Sequence, residues 1–151
     1  MKKKKLIINI ALVALLIFAV AAFYVYKEYN RSHKDTSELP PDYSIAALDL
    51  LSEFETGESS AGKKYWDKVI LVDGMVKAVT VDERGVYSVV LGDTSSMSSV
   101  RCNLDSTHNK EAADVKKGNH VAVKGICTGF NADELLGSDV ILVRCVLHSS
   151  K

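Results

Sequence analysis

The stretch that most constrains this chain is Lys68 to Asp82, whose apolar part, Val69 to Val81, reads as one long strand with a glycine inside it. Val69 to Val72 is an unbroken apolar run rich in β-branched residues, the pattern of a strand buried on both faces. Ile70, Val72, Gly74, Val76 and Ala78 share one side by the two-residue period; beyond Ala78 the apolar phase passes to Val79 and Val81. A strand that changes its buried face midway must bend or bulge, and Gly74 is where a sharp bend costs least. Such a strand can contribute to two sheet edges at once, as the first strand of a small closed barrel does. Gly74 is therefore expected to be structural, a requirement of closure.

Four further strands follow. Asp82-Glu83-Arg84-Gly85 reads as a hairpin turn into Val86–Leu91, with Tyr87, Val89 and Leu91 on one face. After the polar Gly92–Ser99, Val100, Cys102 and Leu104 alternate along a short third strand. Asp105–Lys117 is polar, with a helical turn expected around Glu111 to Val115. Gly118-Asn119 turns the chain into a fourth strand, His120–Cys127; Thr128–Asp139 reads as a loop, and Val140–Leu147 as the fifth strand. Upstream, Ile45, Leu48, Leu51 and Phe54 recur at helical spacing between Asp49, Ser52, Glu53 and Glu55. That is an amphipathic helix over residues 44–57, capped by Asp42 or Ser44 and ended by Gly57. Five short strands with a helical insertion between the third and fourth form the plan of an OB-fold barrel. The expected fold is mainly β, a five-stranded OB-fold barrel over residues 44–149 preceded by one amphipathic helix.

The N-terminus carries a different message. Residues 1–5 hold four lysines, and Leu6 to Tyr26 carries no charge. At about 1.5 Å per residue that run spans roughly 32 Å, close to a hydrocarbon core of about 30 Å. Phe23, Tyr24 and Tyr26 suit the aromatic belt, and the lysines favour a cytoplasmic N-terminus. The expectation is a single-pass transmembrane anchor over 6–26 behind a cytoplasmic basic tail. A polar linker over 27–43 with Pro40-Pro41 then leads to a domain in the periplasm or extracytoplasmic space. A cleaved signal peptide is the alternative, because Ala19-Val20-Ala21 resembles a cleavage site. Either reading exports the domain. Up to Asn30 the balance is five lysines against one glutamate; from Arg31 onward 14 Lys+Arg face 18 Asp+Glu. A net charge of −4 on the domain is a poor match for a phosphate backbone.

The strand pattern resembles the tRNA_anti-like group of OB-fold domains, found in small exported or membrane-anchored bacterial proteins. The residues that carry the likeness are the helix LDLLSEFE, Tyr65 before Lys68-Val69, and Gly74-x-Val76. They continue with Leu91-Gly92-Asp93, Val100-Arg101-Cys102, Lys117-Gly118 before Val121-x-Val123-x-Gly125, and Leu142-Val143-Arg144-Cys145. These are strand residues and structural glycines, Gly118 and Gly125 among them. The resemblance implies the fold and is nearly silent on function, which has to be argued from the site.

Chemical motifs are thin. Gly57-Glu58-Ser59-Ser60-Ala61-Gly62-Lys63-Lys64 fits G-x-x-x-x-G-K but ends in lysine where a phosphate loop needs Ser or Thr, and it follows a helix. Ser60-Ala61-Gly62-Lys63 matches S-x-x-K without its companion elements. His33, His108, His120 and His148 are scattered, and Asn131–Glu134 with Asp139 lacks the rhythm of a calcium loop. No catalytic, cofactor or metal constellation is expected. Cys102 and Cys145 fall on apolar strand faces of strands that neighbour each other in an OB barrel. An oxidising compartment would let them pair and leave Cys127 free; the alternative is three small buried thiols.

OB barrels grip oligonucleotides and oligosaccharides on the face of strands two and three. Here the candidates are Tyr87, Arg101 and Lys77, while Tyr43, Tyr65 and Trp66 are expected to pin the helix to the barrel. The expectation is a membrane-anchored, extracytoplasmic interaction module without catalysis, whose partner is a protein or another envelope component. Oligonucleotide or oligosaccharide binding on the strand two–three face is the alternative.

Overall fold

The computed structural model describes residues 15–26, 35–133 and 135–148. The chain divides into two units, 1–33 and 34–151. In the first, residues 15–26 are helical (α1) with exposed side chains. The rest of the expected span, residues 6–14, lies outside the described residues, as do the basic tail and residues 27–34 of the linker. Among the described residues no helix is long and apolar enough to cross a membrane.

The second unit runs through β1 (Tyr43–Ala46), α2 (Ala47–Thr56), α3 (Glu58–Tyr65), β2 (Val69–Val81) and β3 (Tyr87–Leu91). It continues with β4 (Ser99–Leu104), a 3-10 helix over Asn109–Asp114, β5 (His120–Asn131) and β6 (Asp139–His148). The strands are ordered β1-β2-β3-β4-β6-β5, and a β2–β5 pairing closes the ring. The barrel strands are thus β2 to β6, and the expected first strand is β2.

β2 does serve two edges. Val69–Met75 pair with β5, and Val76–Val81 pair with β3. The change of phase comes from a register shift between Val76 and Ala78, not from a bend at Gly74. The extra residue, Lys77, lets Val76 and Val79 both face the core, which is what a bulge does to the period. Gly74 pairs regularly with Val121, and its role is close approach. A Cβ there would lie 2.9 Å from the Ala47 Cβ, at the first turn of α2.

The helical entrance also differs from expectation. Tyr43–Ala46 run parallel to Ile70–Asp73 as β1, because the open edge of β2 offers its backbone bonds there. Asp42 clamps that pairing: its Oδ2 accepts from the Val69 N–H (2.9 Å) and its own N–H donates to the Val69 carbonyl (2.7 Å). Neither Asp42 nor Ser44 caps the helix; α2 starts after Ala46, with no side-chain cap. Gly57 separates α2 from a second helix, α3, which absorbs the rest of the phosphate-loop-like stretch, Glu58 to Lys64. β5 also runs further than expected, to Asn131, so the loop before β6 shortens to residues 132–138. Phe130 in that extension stacks on Phe54 of α2, ring centroids 5.1 Å apart. The helical turn expected around Glu111 to Val115 is the 3-10 helix, two residues earlier.

Tyr65, Phe54, Leu50, Ile70, Leu91 and Leu142 are the largest fully buried side chains. Cys102, Cys127 and Cys145 are free thiols inside the same core. Gly125 makes room for one of them, since a Cβ would lie 2.5 Å from the Cys145 Sγ. Opposite it β6 bulges, with Arg144 at φ 51. Gly118, at φ +86, turns the chain into β5 as its sequence position implies.

Candidate ligand face and its loops

The expected strand two–three face corresponds to β3 and β4. Ser88 pairs with Asn103, Val89 with Cys102, Val90 with Arg101 and Leu91 with Val100. Val89, Leu91, Val100 and Cys102 are fully buried on the inner side, so Ser88, Val90, Arg101 and Asn103 lie on the outer side, where Val90 is itself covered. β2 extends that face through Thr80 beside Ser88 and Ala78 beside Val90. The Ser88 hydroxyl donates to the Asn103 Oδ1 at 2.8 Å, which orders the polar row.

The three expected ligand residues do not converge. Tyr87 alternates with Val89 and so points to the inner side, half-buried against the core at the barrel's end. Its N–H donates to the Asn109 Oδ1 at 2.7 Å. Arg101 lies on the outer side, 43% exposed, with one terminal nitrogen donating to the Asp139 Oδ2 at 2.9 Å. Lys77, in the bulge of β2, donates its ammonium to the Ser96 and Ser98 carbonyls and braces the β3–β4 loop. None of the outward residues of β3 and β4 carries an aromatic ring, so the face offers no platform for stacking. Of the three helix-flanking aromatics, Tyr65 is buried and does pin the helix, whereas Tyr43 and Trp66 stay partly exposed.

The loops beside this face are more unusual. The β3–β4 loop, residues 92–98, and the β5–β6 loop, residues 132–138, are fastened together. The Ser138 N–H donates to the Ser98 Oγ (3.1 Å), and the Ser99 N–H to the Ser138 carbonyl (2.8 Å). Gly137 lies flat on the Met97 backbone, where a Cβ would come within 2.5 Å. The Asp133 Oδ1 accepts from the Leu135 and Leu136 N–H groups, both at 2.8 Å, and these bonds pull its carboxyl below the usual range. The turn so formed presents Leu135 and Leu136 outward at 83% and 72% exposure, beside Met97 at 65%. Gly92 and Asp93, at the start of the β3–β4 loop, line a cavity of about 390 Å³ with Ala47, Leu48, Met75 and His120. Leu48 and Met75 are exposed there as well. These exposed apolar side chains share no period, and the only signal of them in the sequence is the Leu135-Leu136 pair standing in a polar loop.

Among the described residues no group of three His, Cys, Asp or Glu side chains is arranged so that it could hold a metal ion. Asp133 caps its own turn, and Asp139 is committed to Arg101 and the Ser99 hydroxyl.

A family profile described as tRNA_anti-like matches residues 1–147. The chain belongs to the tRNA_anti-like family. No curated protein matches this tRNA_anti-like chain by sequence. Among solved structures it is similar to a lipoprotein from Klebsiella pneumoniae provisionally named as nucleic acid-binding. That match has a TM-score of 0.55 and 15% identity over 74% of this chain and 100% of the other, a likeness of fold. It also matches OBody NL8, solved bound to hen egg-white lysozyme, at TM-score 0.39 and 17% identity over 55% of this chain and 97% of that one. A protein from Leishmania major provisionally named as an aspartyl-tRNA synthetase matches at TM-score 0.42 and 13% identity, over 78% of this chain and 22% of that one.

Proposed function

We propose that this tRNA_anti-like chain is a membrane-anchored, extracytoplasmic binding module that acts through protein contacts and carries no catalytic activity. The observation that carries the reading is the set of exposed apolar side chains at the two ends of the β3–β4 loop. Leu48 and Met75 lie at one end of it, Met97, Leu135 and Leu136 at the other. Large exposed apolar side chains held by a fixed turn suit a protein surface. The uncharged run 6–26 behind four lysines supports the anchor and the outward placement of the barrel. Cross-linked recovery of the full chain from its native membrane tests the reading. A partner recovered by wild type and lost with Leu135→Ser/Leu136→Ser would bear it out; equal recovery by both would remove the Leu135-Leu136 turn from the account. Turnover abolished by one polar substitution would overturn the non-enzyme part.

Oligonucleotide or oligosaccharide binding is kept as a second reading because Arg101 remains exposed beside the ordered Ser88–Asn103 row. The nucleic-acid name of the Klebsiella protein points the same way. The missing rings and the acidic domain weigh against it.

A further inference from the structure

Just upstream of β1, residues 35–39 lie against β5 and β6 as a strap. Thr36 is buried, and the strap is held at two points. At the first, the His108 ring sits between two carboxylates, its Nε2 2.9 Å from the Asp35 Oδ2 and its Nδ1 3.1 Å from the Glu111 Oε1. At the second, Lys124 of β5 is 93% buried and donates to the Ser37 carbonyl (2.8 Å) and the Leu39 carbonyl (2.9 Å). The Asp35 Oδ1 also accepts from the Ser37 N–H at 2.9 Å, so one carboxylate serves both the strap's turn and the latch.

We propose that this strap is an acid-strengthened latch, closed by the Asp35–His108–Glu111 contact and released as His108 loses its proton. The inference is independent of what the barrel binds. Both His108 nitrogens face carboxylate oxygens, so both contacts are hydrogen bonds only when the ring is the two-donor imidazolium. In the neutral ring one nitrogen loses its proton, and a lone pair then faces a carboxylate. The charged groups facing the latch are Asp35 from the strap, Glu111 from the 3-10 helix and Asp105 from the turn before it. Lys124 faces the strap from β5.

The Asp35 hydrogen bond, then that of Glu111, raises the His108 pKa above 6.5. The same His108 bond, followed by the bonds from Ser37, lowers Asp35 to about 2. A raised histidine contributes fully below its unfolded value and loses its contribution as pH climbs through the folded one. A lowered aspartate contributes above 3.8 and loses its contribution as pH falls toward 2. The latch is therefore strongest between about pH 4 and 6.5 and loosens above that window. Release would add residues 35–41 to the chain preceding β1, roughly 24 Å at about 3.4 Å per extended residue.

Hydrogen exchange of the full chain, corrected for intrinsic pH dependence, reads the latch at the amides of Ser37, Glu38 and Leu39. The β5 amides from Val121 to Cys127 report whether the barrel stays folded. Wild type should lose protection at the strap several-fold between pH 5.5 and 8.5 while β5 holds. His108→Gln should sit at the high-pH level throughout. Lys124→Met should lower strap protection at both pH values and keep the difference between them. Equal wild-type protection at both pH values, or an unchanged pH response in His108→Gln, would overturn the proposal.

Discussion

Two glycines show how a single missing Cβ is used here. Gly74 was legible from sequence as a structural position, but its reason was not: the strand runs straight through it, and the constraint is the Ala47 Cβ from a helix 27 residues upstream. That contact joins two elements and leaves no trace in the local pattern. Gly74→Val should still destabilise, by about 1–3 kcal/mol through overpacking, read as a fall in melting temperature. Gly74→Val with an unchanged melting temperature would refute the close approach. Gly125 faces Cys145 with less room still. Gly125→Ala is expected to cost a similar amount, and the cost should fall by at least half in a Cys145→Ala background. A double-mutant cycle measures that coupling directly. Burial pushes the Cys145 thiol well up, and it pushes Cys127 up to about 11. Cys127 and Cys145 should therefore be inert near pH 8 in the folded chain, Cys102 is shielded from reagent by its burial, and all three should react once the unreduced chain is unfolded. Recovery of only one, mapped to Cys127, would reveal the 102–145 bridge.

At the level of elements, the five barrel strands were readable because each carries a period-two apolar pattern bounded by Gly or polar turns. β1 was not readable, because its four residues, Tyr43–Ala46, sit at the start of a helical stripe to which Ile45 also fits. Tertiary pairing with the edge of β2 decides that conflict in favour of the strand. α3 was obscured because glycines at 57 and 62 and serines at 59 and 60 read as a helix end, although Ala61 and Tyr65 share one buried face. Asp42 is the residue that fixes the β1 choice. Asp42→Ala removes the acceptor for the Val69 N–H and should cost about 1 kcal/mol, a shift of about 4 °C in melting temperature for a domain of this size. If Asp42 were a helix cap instead, the loss would appear as reduced helicity by circular dichroism with the β1–β2 amides still protected.

For the whole molecule, the barrel's plan was legible and its contact surface was not, for one physical reason. Core packing imposes a period on the sequence, whereas a surface is assembled from residues such as Lys77, Arg101, Met97 and Leu135 that share no period. Lys77 and Arg101 look free in sequence; in the fold one braces a loop and the other shares a carboxylate. A domain with 14 basic against 18 acidic residues, and with those two committed, should bind single strands poorly. The expected outcome is no saturable anisotropy change with a labelled single strand of about 12 nucleotides, within the span of one OB fold, at micromolar protein and low salt. Saturable binding that weakens in Arg101→Ala, with log K falling steeply against log salt, would move the function to the β3–β4 face. The same titration with a labelled neutral oligosaccharide tests the other ligand class: binding there that weakens in Arg101→Ala with little salt slope would point to a sugar, because counterion release ties affinity to salt only for a phosphate backbone.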